Sequence, residues 1–214
     1  MHFKKLDLNN KAKKKYLQFI KSQEVLSEPF RDKLGQLNKF YLPLSKKIFN
    51  RKIKNNKTII VGLTGGQGSG KSTISNILKI ILKERFELNT VIFSIDDFYK
   101  TLNERKIMAK KIDPLFLTRG VPGTHDTKLL FNCLKQLKNF TKKILYIPKF
   151  DKSIDDRGPK KKWQKITFQP DIVIFEGWCV AATSQKNKDL IKPINILEKE
   201  KDKKNIWRSW VNKE

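Results

Sequence analysis

The sequence predicts an α/β fold, a parallel sheet flanked by helices, preceded by an N-terminal helical region. Two observations lead to this prediction. Short apolar segments rich in β-branched residues alternate with longer segments whose apolar residues recur with a helical period. Short, apolar strands separated by helices are typical of a parallel sheet covered on both faces. In addition, a glycine-rich segment at residues 64–73 joins the first strand to a helix, as an anion-binding loop does.

The predicted elements divide the 214 residues into two regions. Residues 1–57 form the N-terminal helical region, whose apolar residues cluster at 16–20 and at 40–49, the second cluster broken at Pro43; we assign it a packing role. Residues 58–214 form the predicted P-loop domain. Its strands are predicted at 59–61, 90–95, 144–147 and 171–175, and its helices at 73–83, at 129–140 and from about 203.

The glycine-rich segment matches the phosphate-binding pattern G-x-x-x-x-G-K-[ST] from Gly65 to Ser72, so the fold is of the P-loop NTPase type. Its glycines allow a tight turn in which backbone N–H groups and the helix N-terminus face phosphate oxygens. Lys71 would reach the terminal phosphates, and the Ser72 hydroxyl would ligate Mg²⁺. The predicted nucleotide cradle consists of Gly65, Gly66, Gln67, Gly68, Ser69, Gly70, Lys71, Ser72 and Thr73.

Polar residues follow the ends of the other predicted strands. Asp96 and Asp97 come after the second strand, residues 149–151 after the third, and Glu176 after the fourth. Ligands of open α/β sheets bind at the carboxyl ends of the strands. We therefore expect these residues and the glycine loop to converge on one crevice.

The formal net charge of +26 does not by itself indicate a nucleic-acid-binding protein. Forty of the 47 basic residues are Lys and only seven are Arg, whereas bidentate recognition of phosphate and guanine favours Arg. The lysines are also spread along the whole chain. We expect no specific nucleic-acid partner, although the charge should raise affinity for anionic ligands at low salt.

No apolar run approaches the length of a membrane span, and the basic N-terminus has no apolar segment behind it that would indicate a secretory signal. The cysteines, Cys133 and Cys179, fit no metal or redox spacing and are predicted to be buried thiols. These features predict a cytoplasmic protein without a membrane partner.

Five segments together resemble the D-glycerate 3-kinase family and, more distantly, uridine kinase, phosphoribulokinase and bacterial pantothenate kinase. They are GLTGGQGSGKST at 62–73, SIDDFYKT at 94–101, RGVPGTHD at 119–126, IPKFDKSIDDR at 147–157 and VIFEGW at 173–178. The resemblance implies a kinase that transfers the γ-phosphate of ATP, with Mg²⁺, to a hydroxyl of a small metabolite, D-glycerate before others. It also implies that the chain, which stops at Glu214 inside a predicted helix, is truncated at the C-terminus.

The resemblance assigns roles within these segments. Asp96 would be the general base or would orient the acceptor hydroxyl, with Lys71 and Glu176 completing the catalytic set. Ser72 and Glu176 would hold Mg²⁺. Asp97 could replace Asp96, could hold a Mg²⁺-bound water, or could simply cap the following helix. The acceptor would be bound by Asp97, Tyr99, Arg119, His125, Asp126, Asp151 and Arg157, of which the two arginines are the candidates for a substrate carboxylate.

Two other functions stay open at this point. One keeps the kinase but changes the acceptor to a nucleoside, pantothenate or a sugar phosphate; a nucleoside needs stacking rings, for which Tyr99 and Phe150 are the main candidates. The other is a nucleotide-binding protein without catalysis, or one associated with RNA. Asp96 and Glu176 argue against it, because nucleotide binding alone does not need them.

Overall fold

The computed structural model describes residues 9–25, 29–141 and 143–214. Parts of the predicted N-terminal helical region, residues 1–8 and 26–28, lie outside the described residues. The chain forms two compact units. Unit 1 comprises residues 1–93, 136–142 and 168–178, and unit 2 comprises residues 94–135, 143–167 and 179–214.

Unit 1 is built on a three-stranded sheet in the order β1 (Ile59–Thr64), β7 (Ile172–Gly177) and β2 (Thr90–Ser94). Strands β1 and β7 are parallel, with Ile59 opposite Ile172 and Thr64 opposite Gly177. Two helices pack against this pair: α3 (Leu42–Asn55) lies on β1, and α4 (Lys71–Phe86) lies on both strands. The elements of unit 1 are α1 (Asn10–Gln23), α2 (Lys33–Gln36), a π-helix (Leu37–Tyr41), α3 (Leu42–Asn55), β1 (Ile59–Thr64), α4 (Lys71–Phe86), β2 (Thr90–Ser94) and β7 (Ile172–Gly177).

The core of unit 1 follows from the helical period of α4. Its buried residues include Ile77, Leu78, Ile81 and Leu82, which recur at the three- and four-residue spacing of one helix face. Leu78 and Leu82 pack in one cluster with residues of α3 and β7, whereas Ile77 and Ile81 pack in another with residues of α1. Helix α4 thus connects the sheet to the N-terminal helices.

Pro43 does not interrupt the second apolar cluster as the sequence suggested. It lies in the first turn of α3, which follows directly on the π-helix. The Leu42 amide at the start of α3 still donates to the Leu37 carbonyl of the π-helix, so the proline falls where the hydrogen-bond pattern changes from that of a π-helix to that of an α-helix. The helix therefore runs on through the proline position.

Unit 2 has two small antiparallel sheets. One pairs β3 (Leu145–Ile147) with β6 (Gln164–Ile166), and the other pairs β4 (Phe150–Asp151) with β5 (Asp156–Arg157). Its elements are α5 (Leu102–Lys111), most of α6 (Thr127–Lys138), β3 (Leu145–Ile147), β4 (Phe150–Asp151), β5 (Asp156–Arg157), β6 (Gln164–Ile166), α7 (Ile196–Lys201), α8 (Ile206–Lys213) and short 3₁₀ helices at Ile95–Phe98, Pro114–Leu117, Lys160–Lys162 and Asn187–Leu190.

The third predicted strand therefore exists but does not join the parallel sheet. It is β3, and Leu145 faces Ile166 in an antiparallel pair. Leu145 and Ile147 are buried whereas Tyr146 between them is exposed. Such alternation is typical of an antiparallel strand with one covered face, and a three-residue segment is too short to reveal it reliably from sequence.

Among the described residues, no helix combines the length and apolar character needed to cross a membrane. Both cysteines are free thiols; Cys133 is buried as predicted, but Cys179 is only partly buried. Burial raises the pKa of the Cys133 thiol to about 12.

Candidate active site

The glycine loop of unit 1 connects β1 to α4. Gly68 and Gly70 adopt φ values of +76° and +80°, which side-chain-bearing residues rarely take, so the loop requires glycine at both positions. Helix α4 then begins at Lys71. The Lys71 ammonium group donates to the carbonyl oxygens of Gly65 and Gly66 at 2.8 and 2.7 Å, which places this cation over the loop.

Ser72 and Glu176 meet beside this loop. The Ser72 hydroxyl donates to Oε1 of Glu176 at 2.7 Å, across 104 residues of sequence. The β1–β7 register explains the meeting, because it sets Glu176 opposite Leu63, one residue before the end of β1. Glu176 is 7% exposed, and its buried Oε2 has no hydrogen-bond partner among the described residues.

This pair fits Mg²⁺. The ion prefers oxygen ligands and is usually held by one or two protein carboxylates together with water and substrate phosphates. Ser72 and Glu176 supply a hydroxyl and a carboxylate, and the unpartnered Oε2 is a buried acceptor that a metal-bound water would satisfy. Three or more His, Cys, Asp or Glu residues do not cluster anywhere in the described ranges, so this chain offers no all-protein metal cage there.

In unit 2, Asp96 and Asp97 lie on the 3₁₀ helix that follows β2. Asp97 is buried and closes a capping box with Ser94, its Oδ2 accepting from the Ser94 amide at 3.3 Å. Asp96 is more exposed, and its Oδ2 lies 2.8 Å from Nζ of Lys152. The structural role that the sequence left open for Asp97 is therefore present, and Asp96 is the carboxylate with more access to solvent.

Tyr99 and His125 are stacked beside Asp96. Their ring centroids are 4.4 Å apart. Burial raises the pKa of Tyr99, and the charge of Asp96 raises it further. Burial lowers the pKa of His125 to about 4, so this imidazole is neutral at pH 7. The buried Nε2 of His125 has no hydrogen-bond partner among the described residues.

The two predicted carboxylate-binding arginines already contact carboxylates of the chain. Arg119 forms an ion pair with Asp155 and lies over the Phe150 ring, 5.3 Å from its centroid. Arg157 lies 3.2 Å from Oδ2 of Asp126 and donates to the Tyr99 carbonyl at 3.0 Å. Within the described residues, its buried Nε–H lacks a partner.

Asp126 and Asp151 also have structural contacts. Asp126 accepts from the Leu129 amide at 3.0 Å and so caps α6. Asp151 accepts from the hydroxyl and the amide of Ser153 and pairs with Lys162 at 3.1 Å. The Ser153 hydrogen bond, followed by that of Lys162, lowers the pKa of Asp151 to about 2. Asp151 is therefore ionised at neutral pH.

Three residues of this region were not singled out from the sequence. Lys152 contacts Asp96, as described above. Arg105 is fully buried and donates to the carbonyl oxygens of Lys100, Leu117 and Asp155. Asp155 pairs with both Arg105 and Arg119. Lys152 and Asp155 lie inside the segment at 147–157 that carries the family resemblance, so the sequence does point to them as candidates. Arg105 lies in a lysine-rich helix, where no sequence pattern distinguishes it from its neighbours.

The geometry thus places the glycine loop, Ser72 and Glu176 together in unit 1, and Asp96, Tyr99, His125, Asp126 and Arg157 together in unit 2. That these two groups form one crevice stays a prediction.

Comparison with known proteins identifies kinases with the same kind of phosphate-binding domain. The sequence model of the phosphoribulokinase/uridine kinase family matches residues 60–196. An uncharacterised kinase of Schizosaccharomyces pombe, mug58, is 40% identical over 131 residues, which cover 58% of this chain and 47% of the relative. The chloroplastic D-glycerate 3-kinase of Arabidopsis thaliana is 30% identical over 142 residues, covering 61% and 31%.

Among solved structures, the D-glycerate 3-kinase of Cryptococcus neoformans var. grubii superposes with a TM-score of 0.62 at 26% identity, covering 79% of this chain and 60% of that one. The predicted fold class, a P-loop-type parallel sheet flanked by helices, is confirmed by this likeness. The matched regions span between about a third and a half of the two curated relatives described above.

Proposed function

We propose a reaction for this chain on the premise that it belongs to the phosphoribulokinase/uridine kinase family. As a kinase of that family it uses ATP, and we propose that it transfers the γ-phosphoryl group to a hydroxyl of D-glycerate. The observation that carries the phosphoryl-transfer part is the 2.7 Å contact between Ser72 and Glu176 beside the glycine loop. A loop that only turned the chain would not need a hydroxyl and a buried carboxylate at its helix end.

In this proposal, the backbone of the loop binds the phosphates and Lys71 contacts their terminal oxygens. Ser72 and Glu176 hold Mg²⁺, which when bound neutralises the phosphate charge that develops during transfer. Glu176 is well suited to this because its Oε2 lacks a partner among the described residues. Phosphoryl transfer asks little covalent chemistry of a protein, so positioning and charge account for most of the catalysis.

Asp96 is the proposed base for the acceptor hydroxyl. It is the more exposed of the two neighbouring aspartates, while Asp97 is engaged in capping. The Lys152 ammonium group contacts the Asp96 carboxylate at 2.8 Å and helps to orient it. His125 is a poor candidate for the base, because its low pKa makes it a weak proton acceptor.

An anionic acceptor suits the cations of unit 2. Lys149 and Lys152 are about three-fifths exposed, and they contact Asp97 and Asp96 respectively. Arg157 has one buried N–H that no described residue satisfies, and a substrate oxygen would satisfy it. D-glycerate carries a carboxylate beside its hydroxyls, and two of the similar proteins are named D-glycerate 3-kinases.

A nucleoside acceptor is less well supported. It would need an aromatic face for stacking, yet Tyr99 already stacks on His125 and meets Phe150 edge-on at 5.2 Å between centroids. One face of the Phe150 ring is covered by Arg119.

The cytoplasmic location stays a prediction.

The test is ADP release by the purified chain with Mg²⁺-ATP and D-glycerate, uridine, pantothenate or ribulose 5-phosphate. The proposal expects release that depends on D-glycerate and is lost in Asp96→Asn, while ATP binding persists. Asp113→Asn is a matched control, since Asp113 is an aspartate that caps a 3₁₀ helix in the same unit. Release of ADP that depends on uridine or pantothenate would show that D-glycerate is not the acceptor and would assign that other compound instead. ATP binding with no release from any acceptor would favour a non-catalytic nucleotide-binding protein.

A further inference from the structure

Asp155 joins two arginines of unit 2. Its Oδ2 lies 3.0 Å from Nη2 of Arg105, and its Oδ1 accepts a hydrogen bond from Nη1 of Arg119. Each oxygen of the carboxylate therefore serves one guanidinium group. Because two guanidinium groups share one carboxylate, the three side chains together keep a net positive charge. We call Arg105, Arg119 and Asp155 the arginine cluster.

Arg105 is the buried part of the arginine cluster. Its side chain is fully buried, and its guanidinium group donates to the carbonyl oxygens of Leu117 at 2.6 Å and of Asp155 at 2.5 Å. Leu117 lies just before Arg119 in the chain, so Arg105 holds the backbone on both sides of the contact between Asp155 and Arg119. A guanidinium group can do this because it carries several N–H donors in one rigid plane. The position of the Asp155 carboxylate is therefore set from inside the unit.

The backbone at Asp155 bears on why an aspartate stands there. Its φ of +52° lies in the left-handed region, where Asp and Asn are the side-chain-bearing residues found most often. Glycine or asparagine would make the same turn, but neither would offer an acceptor oxygen to each arginine. The turn alone therefore does not require a carboxylate, whereas the two arginines do.

Arg119 is the accessible part of the arginine cluster. Asp155 accepts from its Nη1, and its guanidinium group lies over the Phe150 ring, 5.3 Å from the centroid. The Arg119 side chain is nevertheless 29% exposed, against 15% for Arg157. A guanidinium group held in this way keeps N–H donors on its other nitrogens, already oriented, and two such donors can bind a carboxylate as a fork.

The arginine cluster adjoins the groups proposed to act on the acceptor. Phe150, on which Arg119 lies, meets the Tyr99 ring edge-on at 5.2 Å between centroids. Burial raises the pKa of Tyr99, and two neighbouring charges act on it in opposite directions, since Asp96 raises this pKa and Arg119 lowers it. The proposed base and Arg119 therefore lie close to the same ring. All of these residues belong to unit 2.

We infer that Asp155 is a positioning residue that holds Arg119 for the carboxylate of the acceptor, and so sets a preference for hydroxy acids over uncharged alcohols. The inference rests on the proposed function, because it needs an acceptor whose hydroxyl lies at Asp96. In this arrangement Arg105 fixes Asp155, Asp155 orients Arg119, and Arg119 donates to the carboxylate of the acceptor. Without the Asp155 carboxylate, the two guanidinium groups would repel each other and Arg119 would lose its orientation.

Arginine-selective ¹⁵N labelling of the full chain follows Arg119 directly by NMR. The chain has only seven arginines, so side-chain Nε–H signals are few, and Arg119→Lys identifies the signal of Arg119. With Mg²⁺-ADP present, D-glycerate should shift this signal saturably and bind at least about fivefold more tightly than glycerol, which has the hydroxyls but no carboxylate. An Arg119 signal that does not respond to D-glycerate would overturn the inference.

Asp155→Asn tests the positioning itself. Asparagine also adopts the left-handed region, but its single acceptor oxygen cannot serve both guanidinium groups. The KM for D-glycerate should rise at least about fivefold while kcat changes less than about twofold, because the lost interaction stabilises the bound substrate and the transition state alike. Asp113→Asn, which changes a capping aspartate of the same unit, is the matched control and should leave KM unchanged. An unchanged KM in Asp155→Asn would overturn the inference.

An Arg119→Gln background separates positioning from a general structural role. If Asp155 acts through Arg119, Asp155→Asn should raise KM by less than about twofold once Arg119 is replaced. A loosened fold would instead raise KM equally in both backgrounds, and that result would overturn the inference. Circular dichroism reports whether each variant is folded, and Asp155→Gly, which also suits a φ of +52°, takes the place of Asp155→Asn if the latter is not.

The proposed function and this inference can fail separately. If D-glycerate shifts the Arg119 signal, and Asp155→Asn weakens that binding, but no ADP is released, the positioning role is supported and phosphoryl transfer to D-glycerate is not. If ADP release depends on D-glycerate, but the Arg119 signal does not move and KM is unchanged in Asp155→Asn, the proposed function stands and the inference is overturned.

Discussion

The buried imidazole of His125 predicts a specific loss of stability in acid. Its pKa is lowered to about 4 in the folded protein, first by burial, from an ordinary value near 6.5. Between these two values the unfolded chain binds a proton that the folded chain does not, so the free energy of unfolding falls as the pH falls through this window. The stability is fully present above pH 6.5.

The size of the effect follows from the pKa difference. Each pH unit within the window costs about 1.4 kcal/mol, so His125 should remove about 2 kcal/mol between pH 7 and pH 5. The protonated ring would also lie beside the Lys100 ammonium group, whose charge lowers the pKa further, whereas Asp96 opposes the shift. Burial outweighs Asp96, because His125 is only 2% exposed.

Urea unfolding followed by tryptophan fluorescence measures this loss at pH 7 and pH 5 at constant ionic strength. His125→Phe keeps an aromatic ring on Tyr99 but cannot titrate, so its stability should change by about 2 kcal/mol less than that of the unmodified chain. The chain has one other histidine, His2, and His2→Gln is the matched control, expected to behave as the unmodified chain does. The reasoning is refuted if His125→Phe and the unmodified chain lose the same stability.

Three further predictions concern the loop, the metal and the buried arginine. Gly70→Ala should cost about 1–2 kcal/mol of stability, measured by urea unfolding, because Gly70 has φ +80°, which an alanine adopts only with strain. Gly66→Ala is the control, and equal stability of the two variants would contradict this prediction. In calorimetric titrations, Glu176→Gln should weaken ATP binding at least about tenfold in the presence of Mg²⁺ but little in EDTA, because the variant lacks the carboxylate proposed to hold the metal. An equal loss of affinity under both conditions would indicate a structural role for Glu176. Arg105→Met should cost about 1–3 kcal/mol of stability, because it removes three hydrogen bonds from a fully buried guanidinium to backbone carbonyls and one of the two ion pairs of Asp155. Lys106→Met is the exposed control, and equal unfolding midpoints for the two variants would refute this structural role.

The parts of the fold set by local chemistry could be predicted from the sequence. The glycine loop was recognisable because Gly68 and Gly70 supply conformations that other residues avoid. The helix that follows the loop has a clear helical period of apolar residues, and the strands on either side of this loop and helix are short apolar runs. Strand β3 was assigned to the wrong sheet, because its partner depends on a return of the chain at Gln164–Ile166 that no local pattern shows.

Candidate site residues could be predicted from the sequence where a motif identifies them. They could not be predicted where only contacts between distant segments determine their partners. Ser72 and Glu176 were both expected at a metal site, and the structure brings them together at 2.7 Å. The ion pairs of Arg119 and Arg157 with Asp155 and Asp126 were not foreseen, since such pairing depends on contacts between distant segments. For the same reason, the buried Arg105 could not be identified from its lysine-rich helix.

The order of synthesis gives the Ser72–Glu176 contact a further consequence. The serine leaves the ribosome 104 residues before its partner, and at translation rates of roughly 5–20 residues per second this interval lasts about 5–20 s. During that time β1 has no β7 to pair with, although its Ile59–Thr64 segment is largely apolar. The nascent loop therefore cannot bring the two proposed Mg²⁺ ligands together until Glu176 has been made, so we expect co-translational binding of Mg²⁺-ATP to begin only after that residue has been synthesised.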